Sequence, residues 1–399
     1  MNIKYSKFKA IMILTMLSMM GLLASDIYLP AMKKMMFHFN TTEANIQLTI
    51  GVYLLGLAIF QLIYGPLSDQ IGRKKIVFLG ILLYMAGSIG CGFSYNIYEL
   101  VGFRFIQAIG ACSGLVLGRA IMADIFPPNE ITNIYNIIYP MVAASPAIAP
   151  IIGGYLVTYL GWQSNFFFVG IFSFILMLLF FNFPETLMRE KKRFSIKVLI
   201  SDYFDISRSI RFWGLCSIIC CVYSAWFIYL TQSPFIFMNK LHYTPKEVGY
   251  FYIPLAISIY IGNILSKRIK KWGGIEFALY IGCGFFLMGA CSLAVSLNLF
   301  YISSALQLIL PMALLAISNG FILPLGIPSA ISLKPGKSGS ASGLVGFFQI
   351  LFSALSSSFV AKIFGTSPFT MSLSILILAI VSIIFYLFTI KLSDIKIAL

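Results

Sequence analysis

Of the charged side chains inside or at the ends of long apolar runs, Asp26, Arg104, Arg119 and Asp124 are the informative ones. A charge at the centre of a lipid-embedded segment costs about 2.5–3.5 kcal/mol on insertion scales, so such residues mark function more often than packing. Asp26 sits in Ser25-Asp-Ile-Tyr-Leu-Pro30 near the end of the first apolar run. It reads either as a solvated carboxylate at an interface or as a proton site facing a polar cavity. Burial penalises a carboxylate and a nearby cation favours it, so a position alternately dry and wet binds and releases a proton. Arg104 opens Arg104-Phe-Ile-Gln107-Ala-Ile-Gly110. At about 100° per residue, Arg104, Gln107, Ala111, Gly114 and Gly118 share one stripe about 80° wide. The stripe reads either as helix packing with a snorkelling arginine, or as a cavity-facing cation that tunes a carboxylate or binds substrate.

Arg119 and Asp124 close the same run, five residues and hence about 140° apart, so they are not expected to pair with each other. Arg73 is the expected partner of Asp124, and Asp69 is expected to cap a neighbouring helix N-terminus. With Gly65 and Gly72 these residues form a candidate gate, the alternative being ordinary interfacial charge. A further run, Ser145-Pro-Ala-Ile-Ala-Pro-Ile-Ile-Gly-Gly154, places Pro146 and Pro150 ahead of Gly153 and Gly154. Proline removes a backbone donor and kinks a helix, while small residues let neighbours approach. Amides and amphipathic aromatics within apolar runs are the candidates for lining a substrate cavity: Tyr53, Gln61, Gln107, Tyr139, Trp226, Tyr229, Gln232, Asn319 and Gln349.

The elements that carry these residues follow from composition. Of 399 residues 59% are hydrophobic and only 10% charged, against roughly 25% charged in soluble domains. The chain is therefore an all-α polytopic membrane protein. Apolar runs of about 20 residues are long enough to cross a bilayer as helices. Spans are predicted near 10–30, 46–66, 76–94, 97–123, 131–158, 163–183, 212–236, 246–266, 274–296, 300–330, 338–363 and 367–390. The first is read as an uncleaved helix rather than a signal peptide, since no small-residue cleavage site follows it. The polar interval 184–211 is a linker between two six-helix bundles, 1–183 and 212–399. The net charge of +15 is no nucleic-acid signal, because Lys and Arg concentrate in alternate loops. That asymmetry predicts cytoplasmic termini and a cytoplasmic linker, with attraction to anionic lipid heads. Seven cysteines without a Cys-x-x-Cys pair, and only two histidines, give no metal site or disulfide framework. No Gly-x-x-x-x-Gly-Lys-[Ser/Thr] loop is present, so ATP is not the expected energy source.

The segment Gly65-x-Leu67-Ser68-Asp69-x-x-Gly72-Arg73-Lys74, set between two apolar runs, resembles the signature loop of the major facilitator superfamily. Ser25-Asp-Ile-Tyr-Leu-Pro-Ala31, Gln61-Leu-Ile-Tyr-Gly-Pro-Leu-Ser-Asp69, Arg104-Phe-Ile-Gln-Ala-Ile-Gly110, Gly118-Arg-Ala-Ile-Met-Ala-Asp-Ile-Phe126, Ala149-Pro-Ile-Ile-Gly-Gly154 and Ser233-Pro-Phe-Ile-Phe237 together resemble its bicyclomycin-resistance group of drug:proton antiporters. The resemblance covers nearly all of the first half and thinly covers the second. It implies the major facilitator fold, with two bundles rocking about a midplane cavity, proton coupling through Asp26 and Arg104, and an antiporter motif at Pro146, Pro150, Gly153 and Gly154. That motif usually reads Gly-Pro before its Gly-Gly, where Ala149-Pro150 stands here, and Ala123 stands where relatives carry a basic residue. The expectation is a monomeric exporter of largely apolar small molecules in a bacterial inner membrane. It would be driven by the proton gradient, without a cofactor, enzymatic activity or nucleic-acid partner. Two alternatives remain: a proton-coupled uptake permease for a metabolite, siderophore or peptide, and a non-transporting receptor or assembly factor. Asp26 and Arg104 speak against the second, since a purely structural bundle has no need of them.

Overall fold

The computed structural model describes residues 7–126, 128–187, 196–334 and 337–398, and among them all regular structure is helical. In chain order the helices are α1 (Lys7–Asp26), α2 (Met32–His38), α3 (Glu43–Ile71), α4 (Arg73–Gly92), α5 (Ile97–Ile125), α6 (Pro128–Leu160) and α7 (Gln163–Phe181). There follow α8 (Ile196–Ser207), α9 (Ile210–Asn239), α10 (Pro245–Tyr250), α11 (Ile253–Asn298), α12 (Leu306–Ser332), α13 (Ser338–Phe359) and α14 (Pro368–Ala398). They form two compact units: α1–α7 with α10, and α8, α9 and α11–α14. Gly274, at φ +81°, breaks α11 into limbs 253–273 and 275–298. Counting both limbs, each unit contributes six spans: α1 and α3–α7 in the first, α9 and α11–α14 in the second. The molecule is a twelve-span, all-α membrane protein.

Local chemistry sets the helix ends. Asn96 accepts the Glu99 N–H at 2.9 Å while Glu99 Oε2 accepts the Tyr95 N–H at 2.9 Å, a reciprocal cap that starts α5. Thr42 caps α3 through Asn45 N, and Ser209 caps α9 through Phe212 N. Three boundaries differ from the sequence reading. The charged segment 64–75 is not an extended turn: α3 runs to Ile71 and the corner is Gly72 alone, at φ +115°. Only glycine takes that conformation freely, and the Asp69–Arg73 pair spans the corner from helix to helix. The first span ends at Asp26 rather than residue 30, and a short 3-10 turn, Leu29–Ala31, carries Pro30. The stretch expected as a span from residue 300 begins as irregular chain, with α12 starting at Leu306. The polar interval 184–211 is shared out, Glu185 and Thr186 binding within the first unit and α8 packing in the second.

In the first unit α5 packs on α1, α3 and α4, and α6 packs on α1 and α10. Of the small residues on the predicted α5 stripe, Gly114 allows close approach, a methyl there overlapping the Leu17 carbonyl of α1, while one on Gly118 would meet nothing nearer than 3.6 Å. A methyl group on Gly87 would lie 2.5 Å from Gln107 N, and one on Gly110 would lie 2.6 Å from Tyr84 Cα. The backbones of α4 and α5 therefore touch. Gly153 abuts the Ile27 carbonyl, next to Asp26, while a methyl on Gly154 would come within 2.6 Å of Pro245 O on α10. In the second unit α8 is pinned by ion pairs: Lys337 to Asp202 at 2.9 Å and to Asp205 at 3.0 Å, and Lys334 to Asp205 at 3.2 Å.

Candidate functional site

Arg104 is fully buried in the first unit. Its guanidinium lies between two aromatic rings, 4.3 Å from the Tyr28 centroid and 4.2 Å from that of Tyr53. A desolvated cation over an aromatic face gains about 2 kcal/mol or more, so two rings offset part of the burial cost. Nη1 donates to Ala24 O at 2.9 Å and to Gln107 Oε1 at 2.7 Å. Gln107 Nε2 in turn donates to Ser88 Oγ at 2.8 Å, and Ser88 donates to Tyr84 O. The ring hydroxyls are anchored as well. Tyr53 donates to Gly21 O at 2.9 Å, Tyr84 to Met20 O at 2.7 Å, and Tyr28 pairs with Thr49 at 3.0 Å. The stripe on α5 thus faces a polar network built with α1, α3 and α4, not lipid.

Asp26 closes α1 beside this network and is buried. Ser25 Oγ donates to its Oδ1 at 2.9 Å. Its Oδ2 has no hydrogen-bond partner, and neither do Nε and Nη2 of Arg104. Buried polar atoms are nearly always paired. One carboxylate oxygen and two guanidinium nitrogens left over in one small region form a site whose protonation and pairing can change. The solvated-interface reading of Asp26 and the snorkelling reading of Arg104 both fail on burial.

The second unit holds a different polar set. Gln232 on α9 is fully buried with neither amide atom hydrogen-bonded, and Tyr229, one turn earlier, has an unbonded hydroxyl. Unpaired atoms also lie on Asn263 of α11 and on Ser318 and Asn319 of α12. Gly262 and Gly320 bring α11 and α12 into backbone contact there, a methyl on Gly320 falling 2.6 Å from Asn263 N. Ser233 and Tyr252 share a hydrogen bond of 3.1 Å. Of the other cavity candidates, Trp226 is buried on α9, Gln349 is half-buried on α13, and Gln61 on α3 keeps an unpaired Oε1. The side chain of Tyr139 lies outside the described residues. Tyr53 and Gln107 belong to the arginine network rather than to an open cavity wall.

The charged corner gathers most of its predicted members. Arg73 Nη2 meets Asp69 at 2.6 Å, Arg73 Nε meets Asp124 at 3.2 Å, and Arg73 Nη1 donates to Ser68. Asp69 thus serves the arginine across the Gly72 corner and, among the described residues, caps no neighbouring helix. That role falls to Glu185, which the sequence reading passed over. Its Oε1 accepts Arg73 N at 3.0 Å and its Oε2 accepts Lys74 N at 3.2 Å, the first free donors of α4. Thr186 adds a bond to Asp124 at 3.3 Å. Arg119 stays outside, exposed and bonded to its own helix at Leu115 O. Around Gly65 a side chain would meet nothing within 4 Å, so packing does not require that glycine. Pro150 is buried and Pro146 half-buried on α6. Tyr28, Tyr84 and Ser88 were also missed. Tyr28 alone left a trace, standing two residues from the singled-out Asp26.

Comparisons with known proteins bear on the whole assembly. The chain is 28% identical over 335 residues to a chloramphenicol resistance protein of Pseudomonas aeruginosa, covering 83% of this chain and 77% of that one. It is 24% identical over 392 residues to a bicyclomycin resistance protein homolog of Haemophilus influenzae, covering 97% and 98%. Among solved structures, a peptide transporter superposes with a TM-score of 0.79 at 14% identity over 98% of this chain and 96% of that one. A D-xylose–proton symporter superposes with 0.72 at 15% identity over 94% and 97%. At such identities the structures speak for the fold alone. The profile of the Major Facilitator Superfamily matches residues 11–357, and this chain, with its spans divided between two units, belongs to that superfamily of transporters.

Proposed function

We propose that this protein is a proton-coupled exporter of largely apolar small molecules, working by antiport in a bacterial inner membrane with both termini in the cytoplasm. The observation that carries the reading is the unpartnered, buried Oδ2 of Asp26 beside a buried arginine with two free donors. With a proton on Asp26 the carboxyl group is neutral and rests on Ser25. Without it the carboxylate seeks the free nitrogens of Arg104. Because Asp26 ends α1, that exchange shifts the chain entering the Leu29–Ala31 turn, against which Gly153 of α6 is packed. Protonation is thereby coupled to the motif at Pro146, Pro150, Gly153 and Gly154. The unsatisfied amides and hydroxyls of the second unit supply hydrogen-bonding groups for a ligand that is otherwise apolar. Asp69, Arg73, Asp124 and Glu185 act as the cytoplasmic gate. The proton gradient is the energy source and no cofactor takes part. The named relatives favour drug-like cargo over the uptake alternative, since both are resistance proteins.

The test is flux in proteoliposomes with an imposed proton gradient and a pH-sensitive dye inside. Adding chloramphenicol or bicyclomycin on the side facing the linker should dissipate the gradient through the parent protein. Asp26→Asn, nearly isosteric but unable to titrate, should fold normally and lose that response. Undiminished proton-driven flux in this variant removes Asp26 from the mechanism, and substrate moving with the protons replaces export by uptake.

A further inference from the structure

In the second unit α9 packs against both α13 and α14, yet α14 reaches the α13 rod chiefly at the turn Val360–Phe364. Below that turn the two helices stand apart, and a groove of 480 Å³ runs between them with α9 as its floor. Its floor is Trp213, Cys216, Cys220 and Cys221; Phe352 and Leu355 of α13 and Val381 and Phe385 of α14 form its walls. These four wall residues are exposed although they lie in bilayer-crossing helices. The two hydroxyls in the groove are already spent, Ser217 donating to Gly214 O at 2.7 Å and Ser382 to Ala379 O at 3.0 Å. Water finds no partners in such a place. None of the candidate transport residues lines it.

We propose that this groove is a binding site for one acyl chain of a membrane phospholipid. The bilayer is the solvent for these helices, so an apolar crevice opening on it is filled by hydrocarbon unless protein fills it. The volume lies within the usual range for small-molecule sites, about 300–1,000 Å³. One end is marked for a lipid head. Trp213 lies at the start of α9 with its indole N–H fixed on Ser207 O at 2.7 Å, and its ring packs on Phe348 of α13 at 5.0 Å. Tryptophan at a helix end sits at head-group level. The residue after Ser207, Arg208, is exposed and forms no ion pair among the described residues. A cation at that level draws an anionic phosphate. The lipid therefore comes from the leaflet that holds the α9 N-terminus.

The test needs no transport. With Trp162→Phe, Trp226→Phe and Trp272→Phe, Trp213 is the remaining tryptophan, and chains of brominated phosphatidylglycerol quench an indole they touch. Protein reconstituted in brominated lipid should keep part of its quenching after dilution into unbrominated vesicles, while loosely attached surrounding lipid exchanges at once. Cys220→Phe, which fills the floor, and the milder Ser217→Leu should each lose that residual quenching. Native mass spectrometry of the parent should find one retained phospholipid, absent from both variants. Immediate and complete loss of quenching in the parent, or retention unchanged by both substitutions, overturns the proposal. So does relief of the residual quenching when chloramphenicol is added to the diluted vesicles, since the groove would then take drug rather than an acyl chain.

Discussion

Removing the Glu185 carboxylate takes away the cap of α4, together with the bonds it accepts from Thr186 N and Leu187 N. Glu185 accepts the N–H groups of Arg73 and Lys74, and its charge faces the positive end of the α4 dipole. Loss of a capping side chain costs about 1 kcal/mol, and loss of a favourable charge at an exposed helix start costs about 0.3–1 kcal/mol. Glu185→Ala should therefore destabilise by about 1.5 kcal/mol in total. Glu185→Gln keeps an acceptor oxygen and should lose only the charge contribution, about 0.5 kcal/mol. For a unit of this size each kcal/mol moves a melting midpoint by about 2–4 °C, so the expected shifts are about 3–6 °C for Ala and about 1–2 °C for Gln. The assay is thermal unfolding in detergent followed by a thiol-reactive dye, with buried Cys91 and Cys112 reporting on the first unit. To leave only the first unit reporting, the same melt is run with Cys216, Cys220, Cys221, Cys283 and the exposed Cys291 replaced by alanine in every protein compared. Midpoints for Ala and Gln that coincide with the parent refute the capping argument. A Gln variant as unstable as Ala would show that charge, not acceptor geometry, holds the corner.

Gly153→Val should fail to reach the membrane in folded form, because its side chain would overlap the Ile27 carbonyl; gel filtration of the extracted protein checks this. In contrast, Gly65→Ala should behave as the parent in the same test, since nothing lies within 4 Å of that position. Hydrogen bonds from Lys337 and then Lys334 hold Asp205 below the usual carboxylate range, while Asp202 and then Asp205 push Lys337 above the usual lysine range. A depressed carboxylate contributes stability above its unfolded value and loses it as pH falls through the folded one. A raised lysine contributes below its unfolded value and loses it as pH rises through the folded one. Docking of α8 should therefore be flat at neutral pH, loosen at the acid end and loosen again at the alkaline end. Amide exchange within α8 measured across the pH scale should show this, and Asp205→Asn should flatten most of the change at the acid end. Finally, Trp272→Cys in a background without native cysteines should react only with reagents that enter the cytoplasm, since residue 272 is 86% exposed beside four basic residues; labelling from outside would reverse the proposed orientation.

The number and class of spans were legible because lipid leaves the backbone no partner but itself. Any long apolar run must then be helical, and Arg104 and Asp26 stood out because a charge inside such a run is costly. The stripe on α5 was legible for the same reason that helices have a period: Arg104 and Gln107 do share a face and do bond to each other. What periodicity does not carry is the identity of the neighbours. Tyr53 comes from α3, Tyr84 and Ser88 from α4 and Tyr28 from the turn after α1, and nothing local marks them as the walls around a guanidinium.

At the charged corner the sequence already contained the pair Arg73 and Asp124, opposite charges at the ends of apolar runs, and the need for glycine at 72. It could not tell that Asp69 reaches across the Gly72 corner to Arg73 on the next helix, or that the α4 cap arrives from Glu185, 112 residues away. A lone Glu in a polar interval carries no signal until the chain folds it onto free N–H groups. The groove on α9 lies further from the sequence still, for it exists only because two helices that both pack on α9 stand apart from each other. Composition and period decide which segments enter the membrane and which faces are polar, because those costs are paid residue by residue. Which polar groups meet, which stay unpaired and where hydrocarbon fits are decided by the packing of distant helices, a sum of contacts that no single segment encodes.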